Sequence, residues 1–501
     1  MNPDKLPDRL YTAASVREMD RVAIEDLGIP AITLMRRAGV ACVDILTTQW
    51  PAAKHMWIMC GSGNNAGDGF IIAGKLAERH FQVTVRMLGD MGKASPAARL
   101  AYDYCVQSGI VPEPFDPVEI IDADVMIDAL LGTGLTGNVR PAYQQAIDLM
   151  NASSLPTLAV DIPSGLCADT GNRLGGAIEA DVTVTFIGLK RGLWTQDGPD
   201  CAGEILFDPL GLGDEVLQQA SVHTRKLRLN RLLKGLPTRR RNSHKNSYGH
   251  VLIVGGDRGM GGAVLMSAEA ALRAGAGLVT VATHPSHPLA LLTRCPELMV
   301  RGIEAGSELD ALVARATVIV LGPGLGQSEW SKMLFGHLID HPGLMVIDAD
   351  GLNLLAKQPA NKDNWVLTPH PGEAGRLLSE GGVETDRFET VGRIQAQYGG
   401  VVVLKGVGSL VADSASIDLC PYGNPGMATA GMGDVLSGVI AALLAQGLAI
   451  GDATRLAVAV HAVAGDRVAE AGQRGLLATD TLPWIRRLLN PTSVPRSSVV
   501  P

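Results

Sequence analysis

The chain has 501 residues, and its 59 glycines stand against 6 Trp, 7 Tyr and 7 Phe. That length exceeds what one core fills, so two domains are expected. With 46% hydrophobic and 19% charged residues, the composition excludes disorder, collagen and a membrane bundle, and a net charge of −8 opposes general nucleic-acid binding.

In chain order, helical patterns cover 12–27 and 31–47, parted by Gly28-Ile29-Pro30. The strands HMWIMC, QVTVRM, VMIDA, TLAVD and DVTVTFIG follow, alternating with helices, which predicts a parallel sheet covered on both faces. Residues 1–220 thus read as a Rossmann-like three-layer α/β domain. Residues 223–250 carry nine Lys or Arg and no Asp or Glu, and 221–243 is read as a basic linker, with a basic helix packed on one domain as the alternative because LRLNRLLKGL has helical periodicity. Without interleaved aromatics it is a poor RNA-binding arm. A second α/β domain over 244–490 has the strands GHVLIVGG, LVTVAT, ATVIVLGPG, LMVIDAD, WVLTPH and VVVLKG, then apolar helices over 434–447 and 453–469. The apolar run around them is broken by Gln446, Asp452 and Arg455, so they are expected to pack on a sheet, with no membrane partner. The polar amino terminus predicts cytoplasmic residence. Seven cysteines without a CxxC pair predict small buried hydrophobes and not a zinc site.

In the first half, GSGNNAGDGF at 61–70 lies between a strand and a helix, where exposed amides suit an anion. Its spacing departs from GxGxxG. Asp128 and Asp161 end two strands and are expected on the same side, where they can converge with Asn65 and Ser164 on a cation. These are hard oxygen donors, which favour an alkali or alkaline-earth ion over zinc. Carboxylates that only cap loops are the alternative, and Asp161 is also placed to exchange a proton with substrate. In the second half, GNPGMATAGMGDVLSG at 423–438 sets small residues before Asp434 and a helix, an arrangement for meeting phosphate charge while Asp434 takes a hydroxyl proton. There is no P-loop. Lys405, after VVVL, is a phosphate contact or a plain strand-ending lysine; Gly406 and Gly408 allow close approach. Asp348, Asp350 and Glu373 are candidates for organising magnesium, directly or through water. His370 is a ligand contact or a fixed loop histidine.

GNNAGDG, DALLGTGL, DIPSGL and TFIGLKRG over residues 10–215 resemble the amino-terminal domain of the YjeF family, the NAD(P)H-hydrate epimerases. The resemblance implies interconversion of R and S hydrates at nicotinamide carbon 6. It implies potassium held by Asn65, Asp128 and Ser164, and Asp161 as catalytic acid or base. Dinucleotide contacts would come from Asn64, Asn65, Ala66, Gly67 and Asp68 and from Gly132, Thr133, Gly134, Leu135 and Thr136, with Lys190 closing the site. Ala66 stands where relatives often carry glycine, tolerable if that position is helical.

Over about 240–490, GHVLIVGGDRGMGGAVLMSAEAALRAGAGLVTVAT, PELMV, GPGLG, DADGLN, LTPHPGE, KGVGS and TAGMGDVLSG resemble the carboxyl-terminal YjeF domain, the ribokinase-like ADP/ATP-dependent NAD(P)H-hydrate dehydratases. That implies Asp434 as base, with Ala263, Gly324 and His370 near the hydrate. Lys405, Gly406, Val407, Gly408, Ser409 and Gly433 would lie near the nucleotide, and ADP would donate the phosphate. The expected partners are NADHX, NADPHX and ADP, with a homo-oligomer and no nucleic acid. A ribokinase-like kinase for a hydroxylated pyrimidine or thiazole, a nicotinamide oxidoreductase and a dinucleotide-binding scaffold are the competing readings.

Overall fold

The computed structural model describes residues 3–219, 224–379 and 386–490. The chain divides into two compact units, Met1–Arg225 and Lys226–Pro501.

The strands of the first unit's seven-stranded sheet are β1 (His55–Cys60), β2 (Gln82–Met87), β3 (Glu113–Pro114), β4 (Val125–Ala129), β5 (Thr157–Val160), β6 (Val182–Phe186) and β7 (Glu204–Asp208). They run parallel in the order β3-β2-β1-β4-β5-β6-β7. The order reverses between β1 and β4, the place where an open α/β sheet has its ligand crevice. The apolar run of β1 follows from cover on both faces: Met56, Ile58 and Cys60 join one core cluster, while Trp57 and Met59 join the other. The predicted helix 12–27 is Ala13–Arg21, with the Thr12 hydroxyl accepting from Ser15 N–H (3.1 Å), continued by a π-helical turn, Val22–Asp26. β3 and β7 were not among the predicted strands. A two-residue edge strand and one without a strong apolar run leave little pattern to read.

The second unit contains β8 (His250–Val254), β9 (Leu278–Thr283), β10 (Met299–Gly302), β11 (Val318–Leu321), β12 (Leu344–Ile347), β13 (Trp365–Leu367), β14 (Val401–Leu404), β15 (Leu410–Ala412) and β16 (Ile417–Leu419). Their order is β16-β15-β14-β13-β12-β11-β8-β9-β10, parallel except for the antiparallel β14-β15-β16 end. Two helices, α1 (Gly261–Arg273) and α2 (Met432–Ala445), pack closely. A Cβ at Gly438 would fall 2.1 Å from the Ser267 carbonyl oxygen, so glycine is required at that crossing. Of the expected linker, 221–223 lie outside the described residues. The part that follows belongs to the second unit: Leu227 and Leu229 are buried in its core, and Leu232, Leu233 and Leu236 pack against it. Its leucines, not its charges, decide its place. Six of the seven free cysteines are buried, and no described helix is long and apolar enough to cross a membrane.

Candidate active sites

In the first unit the loops after β1 and β4 meet. The Asn65 amide donates to the Leu131 carbonyl (3.1 Å), and a Cβ on Gly132 would lie 3.2 Å from that of Asn65. Asp128, wholly buried, accepts from Ser164 N–H (2.7 Å), from the Ser164 hydroxyl (2.5 Å) and from Leu130 N–H (3.2 Å). Burial nonetheless pushes its carboxyl up to about 6. The Asn65 Oδ1 is buried with no hydrogen-bond partner among the described residues, an unmet acceptor.

Three residues before Ser164, Asp161 has left-handed backbone (φ +67°) and accepts from Phe186 N–H (3.2 Å). Its carboxylate is ion-paired with Lys190. That lysine is fully buried and also donates to the Thr185 hydroxyl and the Phe186 carbonyl, both at 3.0 Å. Two further carboxylates share this field. Burial, then the charge of Asp161, pushes Asp20 up to about 6, and burial with Asp161 and Asp20 pushes Asp68 well up. Asp20 was not singled out in the sequence; on the short helix Ala13–Arg21 no neighbouring residue signals its company.

The remaining first-unit candidates are spread differently. Asn64 opens a helix, α3 (Asn64–Glu78), and accepts from the Ser95 hydroxyl (2.6 Å). Ala66 is helical and fully buried in the core, which accommodates its methyl. Gly67 is buried too, and a Cβ there would meet Met35 and Ala98. Thr133 and Gly134 form a turn closed by Leu135 N–H donating to the Gly132 carbonyl (3.3 Å), and Thr136 follows it.

In the second unit, Lys405 Nζ binds Asp348 Oδ1 (2.8 Å) and lies 3.7 Å from Glu373. Burial works against its charge, but Asp348 and Glu373 outweigh it and raise the ammonium. A Cβ on Gly433 would sit 3.2 Å from that nitrogen, which brings the amino end of α2 onto the pair. Asp434 follows in the first turn. Its carboxylate accepts no hydrogen bond among the described residues, and burial, then the charge of Asp348, pushes it up to about 7.

Asp350 accepts from Gly326 N–H (2.8 Å) and from Asn353 (3.1 Å), and Glu373 accepts from His370 N–H (2.8 Å). The three magnesium candidates therefore already have protein partners, and among the described residues no group of three or more His, Cys, Asp or Glu is placed to hold a metal. The His370 side chain is half-exposed, and its Nδ1 accepts from Gly372 and Glu373 N–H (3.0 and 3.4 Å), so it caps a helix while its partial burial and the charge of Lys405 lower it. Gly324 and Ala263 are neighbours, since a Cβ on the former would lie 3.0 Å from the methyl of the latter. Ala349, between Asp348 and Asp350, is held at φ +48°, a strained value for a residue with a side chain.

Residues 251–487 match the NAD(P)H-hydrate dehydratase family, and 31–192 match the family described as YjeF-related protein N-terminus. The bifunctional NAD(P)H-hydrate repair enzyme of Coxiella burnetii is 46% identical over 96% of this chain and 99% of its own length. The chain belongs to the bifunctional NAD(P)H-hydrate repair family. The repair enzyme of Escherichia coli K12 is 42% identical, covering 98% of this chain and 96% of itself. A solved ribokinase-like superfamily protein from Enterococcus faecalis is 32% identical over 54% of this chain and 96% of its own, with a TM-score of 0.51. Membership in the repair family makes this a two-activity enzyme, an isomerase and a lyase, built from a YjeF-type unit and a ribokinase-like unit.

Proposed function

We propose that the first unit interconverts the C6 epimers of NADHX and NADPHX, and that the second dehydrates the S epimer with ADP, giving NAD(P)H, AMP and phosphate. Carbon 6 of the hydrate bears both a hydroxyl and the ring nitrogen, so the nitrogen lone pair can expel the hydroxyl as water and water can return to the other face. That exchange needs a proton donor and an acceptor around one carbon. Asp161, beside the Lys190 ammonium, is the acid or base in contact with substrate, and Asp20 and Asp68, both raised by burial and by the charge of Asp161, are the further carboxyls available for proton exchange.

Potassium fits Asn65, Asp128 and Ser164, because the orphaned Asn65 Oδ1 and the buried Asp128 carboxylate are a hard oxygen set short of positive charge. Bound there, it would supply charge against Asp128 and an anionic dinucleotide. Asn64 to Asp68 and Gly132 to Thr136 border that crevice as dinucleotide contacts.

In the second unit, Asp434 takes the proton from the C6 hydroxyl as that oxygen attacks the β-phosphorus of ADP, and AMP leaves with the bridging oxygen. The phosphorylated hydrate then loses phosphate from C6 and a proton from C5, restoring the ring double bond. Lys405, Gly406, Val407, Gly408, Ser409 and Gly433 border the nucleotide, and Ala263, Gly324 and His370 the hydrate. Magnesium would enter with the phosphates, since Asp348, Asp350 and Glu373 are engaged.

The observation that carries this reading is Asp434, a buried carboxyl near 7 at a helix start, with the adjacent Lys405 committed to Asp348. The test feeds mixed R and S hydrates to the full-length protein with and without ADP, following nucleotides by chromatography. Loss of both epimers, with NADH, AMP and phosphate formed together, is expected. A stable phosphorylated alcohol would instead support the kinase reading.

A further inference from the structure

Helix Arg387–Tyr398 begins with an arginine that is only 3% exposed, inside the molecule behind the stretch Leu404 to Gly408. Its guanidinium is surrounded by that stretch. Nη2 donates to the carbonyls of Leu404 (3.1 Å) and Lys405 (3.2 Å), and Nη1 to those of Gly408 (3.2 Å) and Val407. Burial lowers the guanidinium only to about 10, so it stays charged at neutral pH. Four carbonyls of five consecutive residues thus converge on one planar fork, which a point charge cannot match.

In a trans peptide the C=O and the following N–H point opposite ways, so drawing the carbonyls of Lys405 and Val407 inward turns the N–H groups of Gly406 and Gly408 outward. Positive φ at Gly406 (+136°) and Gly408 (+63°) permits the alternating curl. Outward amides in such a curl form a concave anion nest, and this one adjoins Lys405.

We infer that Arg387 is a positioning residue of the dehydratase unit, which holds the 405–409 loop with its amides presented to the phosphates of a nucleoside diphosphate. It touches neither nucleotide nor hydrate and acts through the loop. This rests on the reading of that unit as an ADP-dependent dehydratase.

The test compares full-length wild type with Arg387→Gln, Arg387→Lys and Gly406→Ala, measuring KM for ADP, KM for the S hydrate, kcat and epimerisation. Gly406→Ala approaches the fork from the loop side, since its Cβ would lie 3.1 Å from Nη2 of Arg387, and it reports even if an Arg387 variant does not fold. KM for ADP is expected to rise about tenfold or more, with KM for hydrate and epimerisation unchanged, and Arg387→Lys falling between wild type and Gln. An unchanged KM for ADP in the folded variants, with only a lower Tm, overturns the role. So does an equal rise in both KM values. If wild-type turnover ignores ADP altogether, the reading of the unit itself fails, a result the variants cannot produce.

Discussion

Each unit sets a lysine, fully buried in the first and partly exposed in the second, against an aspartate near the carboxyl ends of its strands, and the proposed reacting carboxylate stands on opposite sides of that pairing. In the first unit Asp161, the proposed acid or base, is itself the partner of Lys190. In the second, Lys405 is taken by Asp348, and Asp434 is left without a hydrogen bond and pushed up to about 7 by burial and then by Asp348. In the proposed roles, one lysine pairs with the reacting group directly; the other is held by Asp348, and Asp434, raised by burial and by the charge of Asp348 against the lowering effect of Lys405, is left basic enough to accept a proton near neutral pH. The difference follows the chemistry, because phosphoryl transfer needs a base poised near the working pH, whereas epimerisation needs proton-holding groups on two faces of one carbon.

The sharpest way to break the comparison is Asp434→Asn. Dehydration should fall about 10²–10⁴-fold while epimerisation continues, measured as NADH formation and as R–S interconversion on the same preparation. The first unit should respond differently to loss of its lysine. Lys190→Met leaves the mostly covered Asp161 without its cation, and denaturant unfolding should show the unit destabilised by about 3 kcal/mol. Lys190→Met with Asp161→Asn should regain much of that stability but no epimerisation. If the single variant is as stable as wild type, the buried pair is not what holds this site.

A smaller effect sharpens the contrast through pH. Below about 7 the Asp434 carboxyl is protonated, so kcat/KM for dehydration should fall on the acid side with an apparent pKa near that value. Because the folded value lies above the unfolded one, about 3.9, the native state binds this proton more tightly. Its stabilising contribution is complete below the unfolded pKa and is lost as pH rises through the folded one. Asp434→Asn removes that dependence, so the variant should gain on wild type in unfolding free energy between pH 4 and 8. Equal pH slopes would contradict it. The mildest substitution is Ser164→Ala, which removes the hydroxyl donor to Asp128 and should cost about 1.5–3 kcal/mol. With the potassium reading it should also raise the potassium concentration needed for half-maximal epimerisation.

The sequence made the strand ends legible, because apolar runs closing on Asp128, Asp161 and Asp348 announce both a buried strand and a carboxylate at its edge. The small residues at 431–433 announced the start of α2 in the same way. Contacts between distant segments left no such mark. Asp20 lies far along the chain from Asp161 and reaches it only through the packing of the first helix. Arg387 sits in an ordinary helix start, and nothing local shows that it gathers four carbonyls from 404–408. The charge-rich stretch after 223 pointed two ways, since its basic residues suggested a linker while its leucines, at helical spacing, suggested a packed segment, and those leucines enter the second core. Ala66 was legible only as a departure from relatives, and its helical, buried setting explains why a methyl is harmless there.

The central claim is that two independent sites, organised around Asp161 and Asp434, share one chain. It is tested most directly by following resolved R and S hydrates over time in full-length Asp161→Asn and Asp434→Asn, each with ADP. The account predicts that Asp161→Asn consumes S hydrate and leaves R, while Asp434→Asn interconverts the two without forming NADH. Loss of both reactions in either folded variant, or R hydrate consumed at the wild-type rate in Asp161→Asn, would contradict it.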